Sequence, residues 1–98
     1  MTDAEKTFRV GQLVITERTT YGVLEKSFTE KFRDDKTITM EDNVLIDKNS
    51  IGLVVGHITN WVVPATIVTF SNIRNGQYIV LTYNKIVSLN DFISQLDS

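Results

Sequence analysis

No cysteine occurs among the 98 residues, proline and histidine occur once each, and neither sign of charge predominates. Each scarcity closes off a class of function. Without cysteine there is no disulfide framework, no thiolate zinc site and no thiol nucleophile. His57 alone is too few donors for a transition-metal site, where several imidazole, thiolate or carboxylate ligands converge. It is also the only imidazole able to activate a serine or threonine, and no Gly-x-Ser-x-Gly elbow occurs. A glycine-rich phosphate loop is missing as well. Glu17, Glu25, Glu30 and Glu41 show no pairing pattern. Asp42, Asn43 and Asp47 lack the glycine and distal glutamate of a calcium loop. Both sets read as solvated side chains. The chain is expected to be no enzyme, with no catalytic residues, no metal and no cofactor.

Ten basic residues against twelve acidic ones give a net charge of −2. Nucleic-acid binders draw much of their affinity from neutralising phosphates, so a basic excess is their usual signature, and it is absent. The longest apolar runs, such as residues 51–55, are far too short to cross a bilayer. The polar, acidic residues 1–6 carry no leader-peptide pattern. No membrane partner is expected, and the cytoplasm is the expected location.

What is present is an ordinary globular composition, 42% hydrophobic and 22% charged, in a length that suits one domain. Residues 1–7 read as a flexible polar lead and 8–98 as a single β domain. Val10-Gly11-Gln12-Leu13-Val14-Ile15 is a β-branched run entered through a glycine. Ile51-Gly52-Leu53-Val54-Val55-Gly56-His57-Ile58 is a strand whose two glycines point to bending or close backbone approach. Ala65-Thr66-Ile67-Val68-Thr69-Phe70 and Gln77-Tyr78-Ile79-Val80-Leu81 flank Asn75-Gly76, the dipeptide preferred in a two-residue hairpin turn. Tyr83-Asn84-Lys85 reads as one helical turn and 86–89 as a last strand. A short helix over 91–96 follows, capped by Asn90 or Asp91.

Residues 21–49 are less regular. Tyr21-Gly22-Val23-Leu24 and the 38–46 stretch hold strand-like pieces. Between them Phe28 and Phe32 stand four apart, as on one face of a helix. The even spacing of Ile38, Met40, Val44 and Ile46 favours the tip of a long hairpin instead. Either way this long excursion is expected to project from the sheet as a recognition arm.

The order of elements, with the Val10-Gly11-Gln12-Leu13-Val14 opening and the Ile67–Phe70, Asn75-Gly76, Tyr78–Val80 hairpin, resembles an SH3-like small β-barrel over residues 10–89. It is similar in particular to the small SH3-like proteins of tailed bacteriophages. The resemblance implies an all-β barrel; the long insertion between strands one and two and the added C-terminal helix depart from that family, and mark either a decorated barrel or a different β topology. The resemblance also implies a phage gene and action in the host cytoplasm. The glycines resemble the KOW motif too, without its basic character.

In the SH3-like arrangement Tyr21, Trp61 and Tyr83 fall on one face, which peptide-binding members of that family use for ligands. Trp61, in the connection after residue 58, is otherwise a residue that closes one end of the core. Lys26, Lys31, Arg33 and Lys36 interleave with Phe28 and Phe32, a combination suited to stacking bases and contacting phosphates. Glu25, Glu30, Asp34 and Asp35 nearly cancel that charge. The leading reading is a non-enzymatic protein-interaction module acting on a host or phage protein. The alternatives are a KOW- or Tudor-like nucleic-acid binder and a structural subunit of a phage particle.

Overall fold

The structure, a computed structural model, describes residues 8–33, 42–59 and 64–96, with the side chains of Phe32 and Arg33 outside that description. In chain order the elements are β1 (Leu13–Ile15), β2 (Thr20–Leu24), α1 (Glu25–Arg33), β3 (Asn43–Ile46), β4 (Ile51–Ile58), β5 (Ala65–Phe70), β6 (Tyr78–Thr82), β7 (Val87–Ser88) and α2 (Leu89–Leu96). The seven described strands make one antiparallel sheet in the order β3-β2-β6-β5-β4-β1-β7. The fold is mainly β, as the β-branched apolar runs predict.

Period-two alternation sorts the strands into two faces. Thr66, Val68 and Phe70 of β5 and Ile79 and Leu81 of β6 are buried on the inner face. With Val14, Val44, Ile46, Val54 and Ile86 the apolar members of this set form the main core. Burying each such side chain contributes about 1.5–3 kcal/mol before chain entropy is counted. On the outer face a smaller cluster joins Phe28 of α1 to Ala65 and Val80.

The two glycines of β4 serve different ends. A Cβ at Gly52 would lie 2.5 Å from Val68 Cγ1 and 2.8 Å from Phe70 Cε1, so the core passes where a side chain would stand. Gly56 instead follows a bulge. Val54 pairs with Val68 but Gly56 pairs with Ile67, leaving Val55 as the extra residue. The bulge turns His57 to the side of buried Thr66, its register partner.

The sheet is open, with β3 and β7 at its edges, yet it coils. Five strand spacings separate β3 from β1, about 24 Å if the sheet were flat. Instead Thr16, just past β1, donates its hydroxyl hydrogen to the carbonyl of Asp47, just past β3, at 2.7 Å. Val14 and Ile46 accordingly share one core.

The described parts of this excursion, residues 21–33 and 42–49, do not project. β2 pairs with β6 through Val23–Val80 and Leu24–Ile79, and β3 pairs along β2. The excursion supplies Phe28, Val44 and Ile46 to the interior. Both local readings are realised in part: 25–33 is helical, and the flanking strands do return on each other. What overrides the arm reading is burial, since every second residue of β3 is apolar and needs a core. The strand piece expected to begin at Ile38 is described only from Asn43, and Ile38 and Met40 lie outside the described residues.

Three local expectations are corrected. The opening strand is shorter than expected, because Gly11 at φ 90° and the bond from the Gln12 N–H to the Arg9 carbonyl (3.0 Å) turn the chain before Leu13. The β5–β6 connection is not a two-residue turn. Asn75 and Gly76 do take positive φ, as does Arg74, but within a longer loop over 71–77. Ile73, packed against the core and donating its N–H to the Phe70 carbonyl, requires the extra residues. The last strand ends at Ser88, whose Oγ accepts the Asp91 N–H at 3.0 Å and so caps α2 in place of Asn90 or Asp91.

Candidate binding cleft

β6 ends at Thr82, and the single helical turn Tyr83–Lys85 leads to buried Ile86. The Thr82 hydroxyl donates to Asn84 Oδ1 at 2.6 Å, which shapes the turn. Ile86 anchors it in the main core. Lys85 then reaches across to β2, where its Nζ donates to the Tyr21 carbonyl at 2.7 Å. Residues 64 positions apart are thereby tied at one place.

Lys85 lines two clefts, which therefore adjoin. The larger, about 410 Å³, lies between the β1–β2 connection (Glu17, Arg18, Thr19) and the turn (Asn84, Lys85). Its rim carries one carboxylate and two cations, so it suits a polar segment with hydrogen-bonding groups of both kinds. The smaller, about 120 Å³, is bounded by Tyr21, Val23, Phe28, Asn43, Thr82 and Lys85. That volume accepts one side chain. Beside it Tyr21 and its cross-strand partner Leu45 both stand exposed.

The expected site residues divide. Tyr21 is 53% exposed at the cleft. Tyr83 is half-buried in the turn that carries Lys85. Phe28 is buried against Ala65 and Val80, where it both anchors α1 and walls the smaller cleft. Lys31 is engaged by Asp42 at 2.9 Å. Trp61 and the side chains of Phe32 and Arg33 lie outside the described residues. The basic cluster is thus not assembled into a cationic surface by the described residues: Lys31 is paired, and Glu25 and Glu30 share its helix.

No family model matches the chain, and no curated protein and no solved structure is similar to it. The clefts must therefore be read from their own chemistry.

Residue-by-residue reading missed Lys85, Arg18, Glu17 and Asn43. Their convergence depends on β2 docking on β6, which no local pattern announces. Among the described residues no three His, Asp or Glu side chains cluster as metal ligands. His57 keeps a buried Nδ1 without a hydrogen-bond partner on the inner side of β4, away from the clefts.

Proposed function

We propose that the chain is a non-enzymatic protein-interaction module with an SH3-like strand order, which grips an extended segment of another protein along the Lys85 clefts. Within the seven-stranded sheet, β6-β5-β4-β1-β7 has the order of a five-stranded SH3-like barrel, with a helical turn before the last strand. The β2–α1–β3 unit stands where such barrels carry their long loop. In that family the long loop and the helical turn line the ligand face, and here the corresponding elements meet through Lys85.

The observation that carries the reading is the convergence of Tyr21, Asn43 and Lys85 on adjoining clefts, one polar and one sized for a single side chain. An aromatic ring, an amide and a cation offer stacking, hydrogen bonding in both directions and charge to a peptide in extended form. The resemblance to phage SH3-like proteins makes a host or phage protein in the cytoplasm the partner we favour.

Affinity capture of the tagged full chain from host lysate, compared with Tyr21→Ala and Lys85→Ala, tests this. A discrete protein partner should be recovered by the native chain and depleted at least tenfold by each variant. Equal recovery by all three excludes the clefts. Recovery of nucleic acid that salt releases would replace the reading with the electrostatic alternative.

A further inference from the structure

A second surface, sharing no residue with the Lys85 clefts, points to a different partner. On the outer face Leu13 and Leu53 are direct cross-strand neighbours, and Ile51 follows two residues along β4. All three are exposed. The neighbouring α2 packs against β1 and β7, yet none of its residues is buried. Leu89, Phe92, Ile93 and Leu96 stand at the i, i+3, i+4, i+7 spacing of one apolar stripe. Ile93 is exposed, and Leu96 is 68% exposed. An eight-residue helix is marginal in water unless such a stripe is packed. This chain leaves it largely open.

We propose that the chain pairs with a second copy of itself, the α2 stripe of each copy lying on the Leu13, Leu53 and Ile51 face of the other. Two properties commit the surface to a second copy. First, the molecule holds both halves of the contact, a ridge and a flat face, side by side on β1, which is what a two-fold axis requires. Second, the area is of the right order: the five side chains, 38–68% exposed, present on the order of 400 Å² of apolar surface, most of the apolar share of the ~800 Å² that one partner gives to a standard interface. The described part of α2 carries one charge, Asp91, so closing the contact buries no set of like charges.

Sedimentation and light scattering on the full chain test the pairing. The native chain should run at twice its 11.1 kDa mass. Leu53→Glu and Leu96→Glu should each run as monomers, and Leu96 is exposed enough that the charge spares the fold. A second measurement is independent of charge. With no native cysteine, a mixture of Leu53→Cys and Leu96→Cys chains should form a mixed disulfide dimer on mild oxidation, at least tenfold above either variant alone. A native chain that stays monomeric at its highest soluble concentration overturns the proposal, as does a dimer that survives both glutamates. Loss of a different protein from the capture by Leu96→Glu, with the chain itself monomeric, would assign the surface to that protein. The Lys85 reading would stand in that case. Conversely, a dimer with intact partner loss in Tyr21→Ala keeps both.

Discussion

The hydroxyl of Thr16 is fully buried and makes two hydrogen bonds, donating to the Asp47 carbonyl at 2.7 Å and accepting the Ser50 N–H at 3.0 Å. It fastens the end of β1 to the end of β3. Thr16→Val keeps the shape but leaves the buried Ser50 N–H without this partner, so it should cost about 1–3 kcal/mol in urea unfolding. A loss near zero would mean that the fastening is dispensable. Gly22 and Gly52 make the complementary prediction. A Cβ at Gly22 would lie 2.5 Å from Ile79 Cγ2 and 2.9 Å from Leu81 Cδ2. Ala at either position forces the core apart, and about 1–3 kcal/mol of destabilisation is expected from overpacking. The close approach at Gly52 was legible, since two glycines punctuate an otherwise β-branched strand. That at Gly22 was not, because it depends on which strand lies across from β2.

At the scale of elements, Phe28 is the buried ring among the described side chains of α1. Phe28 packs on Ala65 and Val80, and removing such a ring costs about 3–5 kcal/mol in a closed core. Phe28→Ala should lower stability toward the bottom of that range, because this cluster is small and lies near solvent. It should also open the floor of the smaller cleft, measurable as lost amide protection through 25–33. Loss of protection without loss of global stability would show α1 to be an independent unit. Ser88→Ala removes the cap of α2 and should cost about 1 kcal/mol. The strands β4, β5 and β6 were legible as β-branched apolar runs, one punctuated by glycines and two flanking Asn75-Gly76. Helix α1 was ambiguous because Phe28 and Phe32 fit a helical face while Val44 and Ile46 fit a strand. Both patterns were real and belonged to successive elements.

At the scale of the whole molecule, the sheet is one coiled layer, and the described strands of the excursion between β1 and β4 are part of its core. An arm of 29 residues would be a recognition device by its length; a strand pair laid on β6 is a wall. The candidate cleft therefore lies at the seam of the excursion with the turn before β7, beside Tyr21 and Tyr83, and not on the basic stretch of α1. The part of Lys85 in that cleft was hidden from the sequence, because it rests on a bond to the Tyr21 carbonyl with no local pattern at either end. The aromatic residues were visible, but the cation and amide that join Tyr21 at the cleft were not.

The seam is the joint on which the cleft depends, for without β2 on β6 neither the floor nor the Tyr21 carbonyl is in place. Native-state amide exchange of the full chain, read residue by residue, tests it without knowledge of any partner. The β2 amides that face β6 should exchange within about 2 kcal/mol of the slowest amides of β5, as members of one cooperative sheet. If residues 20–24 and 43–46 exchange as fast as the loop over 71–77 while β4, β5 and β6 stay protected, the excursion is a detached arm and the cleft does not exist.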